Sequence, residues 1–199
     1  MKPDESWPDQ AKIEVWVEKQ IQQLAIAWKK GEADWRVVAD HLLNWDTALS
    51  MQEGAVPRGG SPDDSESQIK RPADGLGKYV KRLADALTVQ KSNLWRYRKA
   101  ALAARIIWSG HSVDSPLDIP EHASPESIEL VEKIFRAAPT EVAEDVARRL
   151  YDNEITRAEL RRIWQDIRHV VDKPVRPFVD RYRKLPEENP VRVSALFEE

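Results

Sequence analysis

From Asp9 onward the apolar positions Ile13, Trp16, Val17, Ile21, Leu24 and Trp28 recur every three or four residues, the period of a helix with one buried face. Lys29, Lys30 and Gly31 then supply a cationic last turn and a stop. Asp34 stands where it can cap a second helix, in which Trp35, Val38, Ala39, Leu42, Leu43 and Leu49 share a face. Residues 1–50 therefore predict an antiparallel helical hairpin around a short turn. The pattern breaks over 51–77, where five glycines and three prolines lie among small polar residues, the composition of a flexible linker or loop. It resumes with Val80, Leu83, Ala84 and Leu87, and continues after Thr88 with Val89, Leu94, Tyr97 and Ala101. That spacing predicts two helices meeting at a sharp turn, with the small Ala84 where they approach closely.

The alanine-rich run Ala100 to Ile107 extends the second of these helices until Ser109 and Gly110 stop it, and a proline-bounded loop follows. Ser124 and Pro125 open a helix with Ile128, Val131, Ile134 and Phe135 inward. Pro139 and Thr140 restart the chain with Val142, Val146 and Leu150 on one face. Thr156 with Glu159 forms a capping box for a helix carrying Leu160, Ile163, Trp164, Ile167 and Val170. Four prolines after Lys173 rule out one continuous helix there. Phe178, Tyr182, Val191, Val193, Leu196 and Phe197 are apolar points in that tail able to latch onto the body or a second subunit. The expected fold is all-α, with an N-terminal hairpin (1–50), a linker (51–77), a helix-turn-helix with a small helical bundle (78–172) and a proline-containing tail (173–199).

Composition agrees with this reading. An apolar fraction of 41% with eight tryptophans can bury a core, and seven glycines in 199 residues leave few positions for a turn-rich sandwich. Trp16, Trp28, Trp35 and Trp45 are read as packing residues. The absence of cysteine excludes disulfides, thiol catalysis and cysteine-ligated metals. With neither a signal peptide nor an apolar run of about 18 residues, the expectation is a cytoplasmic protein with no membrane partner.

Charge changes the picture more. Between Lys78 and Arg105 eight basic residues face one acid, Asp85, a local charge of +7 in a chain whose net charge is −3. A basic island in an acidic chain is the footprint of a surface that meets phosphate. It coincides with the helix pair, and the arrangement of Leu83, Ala84, Leu87, Val89, Leu94 and Tyr97 resembles the bacterial helix-turn-helix. Thr88 occupies the turn position that is usually glycine. The resemblance implies that the second helix enters the major groove, with Gln90, Lys91, Ser92, Trp95, Arg96 and Lys99 reaching base edges. Lys78, Lys81 and Arg82 on the first helix would contact the DNA backbone. Trp95 is open to a second reading as a core residue. Arg98 and Arg105 fall on other faces, read as ion-paired or solvent-facing.

The order of helix-turn-helix, proline-bearing loop and helices ending in ITRAELRRIW resembles the central DNA-binding region of the ParB and KorB family, over about Lys78 to His169. The arginine-containing box and the early Asn-Pro segment of that family's nucleotide-binding domain are absent. The resemblance therefore implies DNA binding without CTP hydrolysis or clamp formation.

No sequence feature points to catalysis. His41, His111, His122 and His169 are scattered, no phosphate-binding glycine loop occurs, and Asp63, Asp64 and Glu66 read as solvated rather than as a metal cluster. The sequence thus predicts no enzyme, no cofactor and no metal. It predicts a homodimeric, sequence-specific double-stranded DNA-binding protein, a transcriptional repressor or a plasmid partition-type adaptor. A helical protein-interaction module, or an accessory subunit of a DNA-processing complex, using the hairpin or the tail as its partner surface, is the alternative.

Overall fold

A computed structural model describes residues 10–52, 72–73, 75–111 and 113–170; among these the secondary structure is helical and contains no strand, so the fold is all-α. The helices are α1 (Gln10–Lys30), α2 (Trp35–Gln52), α3 (Leu76–Leu87), α4 (Lys91–Ile107), α5 (Pro125–Ala137), α6 (Thr140–Tyr151) and α7 (Arg157–Val170). Single 3-10 turns span Ser109–His111 and Pro116–Asp118. Most of the linker expected over 51–77, the tail 173–199 and the acidic triplet Asp63, Asp64 and Glu66 lie outside the described residues. No described helix is long and apolar enough to cross a membrane.

The chain divides into two compact units, Met1–Lys99 and Ala100–Glu199, with the boundary inside α4. This differs from the division expected at 51–77. The hairpin and the helix-turn-helix share a single core, in which Ile13, Val17, Ile21 and Leu24 of α1, Val38, Leu42, Trp45 and Leu49 of α2, and Leu76, Val80, Leu83 and Leu87 of α3 are all buried. The physical reason is burial. A two-helix hairpin leaves part of each apolar stripe in water, and the apolar face of α3 covers it.

Local signals set the helix ends of this first unit. The Asp34 carboxylate accepts the amides of Arg36 (2.8 Å) and Val37 (3.3 Å), capping α2. Burial pushes the Asp34 carboxyl up, but hydrogen bonds from the Arg36 side chain and from these two amides more than offset it, leaving its pKa below the ordinary value. Gly31, at φ 74°, ends α1 in the left-handed conformation that glycine adopts freely. Trp16, expected inward, is 39% exposed, because it lies at the edge of the stripe whose centre is Ile13, Val17, Ile21 and Leu24. Trp45 is fully buried and donates its indole N–H to Gln20 Oε1 at 2.6 Å. The same oxygen meets Nδ1 of His41 at 3.1 Å, and desolvation holds the His41 pKa below its ordinary value against the opposing pull of Asp40.

In the second unit α5 packs against both α6 and α7. Ile128, Val131, Ile134 and Phe135 are buried as expected, with Val146, Leu150, Leu160 and Ile167. Trp108 is also enclosed, donating its indole N–H to the Ala147 carbonyl at 2.9 Å. Ser124 accepts the Ser127 amide with Pro125 at the first helical position, and the Thr156–Glu159 capping box closes in both directions, at 2.8 and 3.3 Å. Hydrogen bonds from the Thr156 amide and hydroxyl hold the Glu159 carboxyl below its ordinary pKa.

Candidate nucleic-acid interface

The turn between α3 and α4 is built by backbone hydrogen bonds. The Val89 amide donates to the Ala84 carbonyl (3.0 Å) and the Thr88 amide to the Asp85 carbonyl (3.3 Å), the paired closure of a Schellman motif. That closure needs a left-handed residue at position 88, and Thr88 supplies it with φ 57° and ψ 42°. The expected sharp turn is therefore present with threonine where glycine is usual. Val89 packs against the core, and Leu94 beyond it is fully buried. Ala84 is 5% exposed, as expected for the point where the helices approach.

Gln90, Lys91 and Ser92, at the start of α4, are all exposed. The Gln90 carbonyl accepts the Asn93 amide at 2.9 Å, and the Ser92 hydroxyl lies 3.5 Å from Gln90 Oε1, a contact too long to hold either side chain firmly. Arg96 and Lys99 are also exposed, one and two turns further along. Four of the six residues expected to reach bases thus lie on the exposed part of α4, and a fifth, Gln90, is exposed immediately before it. Trp95 departs from the group: it is half-buried and packs against the core of the unit, along with Tyr97, whose ring stands 6.2 Å from that of Trp35. The core reading of Trp95 is the one its packing matches.

The residues expected on the DNA backbone divide as well. Lys81 is exposed, whereas Lys78 and Arg82 point along the side of α3 that meets α1. Lys78 Nζ is 2.7 Å from Glu14, and Arg82 is 3.6 Å from Glu14 and 3.1 Å from Glu18. The Lys78 hydrogen bond and charge hold the Glu14 carboxyl below its ordinary pKa. These two cations are engaged with carboxylates, so the positive surface is smaller than the sequence count suggests.

Arg98 is a third basic residue engaged with a carboxylate, and unlike the other two it is withdrawn from the surface. It is 6% exposed, its Nε donates to Asp46 at 3.0 Å, and its Nη2 pairs with the same carboxylate oxygen. The other Asp46 oxygen accepts the Ala73 amide at 2.7 Å. One carboxylate of α2 thus holds both α4 and the segment of chain leading into α3. Asp46 carries no signal in the sequence, since it is an ordinary polar position on an amphipathic helix. Lys81, Lys91, Arg96, Lys99 and Arg105 are exposed as well. No protein-family model, curated protein or solved structure matches this chain.

Proposed function

We propose that the chain is a sequence-specific double-stranded DNA-binding protein that places the start and outer face of α4 in the major groove. The observation that carries this is the closed turn at Thr88 followed by the exposed Gln90, Lys91, Ser92, Arg96 and Lys99. A rigid turn fixes the angle at which the second helix projects, and the partial positive charge at a helix N-terminus favours a polyanion there. Gln90 suits bidentate contact with adenine and Arg96 with guanine, while Lys91 and Lys99 reach guanine or phosphate. Lys81 positions the protein on the backbone. Trp95 supports α4 from within and is left out of the base-reading set. A homodimer on two half-sites is the natural assembly, since one such helix reads few base pairs. A transcriptional repressor or a partition-type adaptor in the cytoplasm fits this mode, in keeping with the ParB and KorB resemblance.

Binding of the full-length protein to fragments selected from random DNA, followed against salt, tests the reading. Affinity should fall steeply as salt rises, because several phosphate contacts release counterions. Arg96→Ala should relax preference at one base position, at a cost of about 1–3 kcal/mol, whereas Lys81→Ala should weaken all sequences alike. No binding at low salt, or indistinguishable behaviour of the two variants, would sink it.

A second reading is favoured by one observation. Val15 and Ile26 on α1 are 72% and 57% exposed, beside the partly exposed Trp16. Such side chains suit a protein partner, in an interaction module or an accessory subunit of a DNA-processing complex. A native complex that survives nuclease treatment, with no affinity for DNA, would select this reading over the first.

A further inference from the structure

We infer that one flank of α7 is a second nucleic-acid surface, which grips the phosphates of duplex DNA through Arg157, Arg161 and Arg168. Successive helical residues are about 100° apart, so Arg157, Arg161, Trp164 and Arg168 fall within roughly 60° of one another, in a seam about 16 Å long. The three arginines are exposed and Trp164 is half-buried. On the core side Leu160 and Ile167 are fully buried, which fixes the helix and the direction of the seam.

Two features set this seam apart from ordinary surface charge. The first is that three other cations of the same unit are neutralised, whereas Arg105, Arg149 and Arg162, which are not ion-paired among the described residues either, do not line up in a row with an aromatic ring. Lys133 pairs with Glu129 at 2.9 Å and Arg136 with Glu132 at 2.6 Å. Arg148 is held by Asp145, Asp152 and Glu154 at 3.0, 3.2 and 3.1 Å. Among the described residues Arg157, Arg161 and Arg168 form no ion pair.

The second is the segregation of charge on α7 itself. Its two acids, Glu159 and Asp166, fall on the side of the helix roughly opposite the seam. Glu159 is in any case occupied by the Thr156 cap. Within α7 none of the three arginines has a carboxylate three or four positions away; Glu154, three before Arg157, precedes the helix and pairs with Arg148, Asp172, four after Arg168, lies beyond the described residues, and Arg157 and Arg161 are themselves four apart. A like-charge pair at that spacing weakens a helix on its own, so the sequence gives up local stability to keep the seam cationic.

The residue types narrow the ligand. Arginine presents a planar fork of donors that matches phosphate oxygens, and an aromatic ring within the row gives a guanidinium a face to stack on. A polyanion with regularly repeated phosphates meets such a row along its length. An acidic protein segment is the other ligand with the right charge, and the test separates the two. The seam belongs wholly to the second unit, and its role stands apart from base reading by α4.

The test compares full-length wild type with the triple variant Arg157→Gln/Arg161→Gln/Arg168→Gln, measuring duplex affinity across a salt series. The slope of log affinity against log salt should become shallower by about 2 to 3, roughly 0.9 for each phosphate that is no longer neutralised, with preference among sequences unchanged. The corresponding triple lysine variant should keep the wild-type slope, because charge is conserved. Binding of polyglutamate to the same proteins is the control. A glutamine variant with the wild-type slope overturns the inference, and if it also loses polyglutamate binding the seam is a site for an acidic protein segment. A lysine variant as shallow as the glutamine one overturns it too. Base reading by α4 fails on a different measurement, the specificity of Arg96→Ala, so either reading can fall without the other.

Discussion

Thr88 has a φ of 57°, a left-handed conformation that a β-branched residue enters reluctantly. The clash of its Cβ with the following carbonyl costs about 1–2 kcal/mol. The turn closes through the amides of Thr88 and Val89 and the carbonyls of Asp85 and Ala84, none of which involves the threonine side chain. Thr88 is also exposed, so little packing disappears when its side chain is removed. Thr88→Gly should therefore keep the turn and relieve the strain, while the freer unfolded chain takes back about 0.5–1 kcal/mol. The expected outcome is a gain of up to about 1 kcal/mol, read as a higher urea midpoint at an unchanged slope. A lower midpoint would mean that the hydroxyl or methyl of Thr88 itself holds the turn. DNA affinity should be unchanged, since the geometry of the turn is the same with either residue.

At the scale of helices, what the sequence made legible is what periodicity encodes. The inward positions Val80, Leu83, Ala84, Leu87 and Leu94 are buried as their spacing predicts, and all three capping signals, Asp34, Ser124 and Thr156, are used. Periodicity says which face of a helix is buried, but not which helix covers it. Hence the glycines and prolines of 51–77 suggested a separation between hairpin and helix-turn-helix, although α3 completes the hairpin's core. The same gap hid the partner of Arg98, which lies 52 positions away on α2. Side-chain exposures of 8% for Arg98 and 13% for Asp46 make this a buried pair. Removing one partner leaves the other charge uncompensated in a poorly solvated place. Asp46→Ala should accordingly cost about 3 kcal/mol or more, and it also strips the Ala73 amide of its acceptor. Adding Arg98→Met should restore much of the loss in urea denaturation. If the single and double variants are equally unstable, the pair is not what holds α4 against α2.

Over the molecule as a whole, the net charge of −3 hides how the cations are allotted. A run of eight basic residues between Lys78 and Arg105 reads from sequence as one positive surface. Folding divides it, because Glu14 and Glu18 of α1 come to lie against Lys78 and Arg82. Those acids are 64 positions away in the chain, beyond the reach of any local pattern. The pairs are close to half exposed, and such pairs contribute only about 0–1 kcal/mol each, so Glu14→Gln/Glu18→Gln should fold normally. The double substitution frees two cations on the outside of α3 and so asks whether that side of the helix-turn-helix faces a duplex. If it does, both become phosphate ligands, and the salt slope should steepen by up to about 2, with tighter binding at low salt for every sequence alike. If the slope does not change while Arg96→Ala still relaxes specificity, α3 turns these residues away from DNA, and α1 rather than the backbone is their permanent partner. In that case Lys81 is left as the backbone contact of α3, and α4 supplies most of the charge that meets the groove.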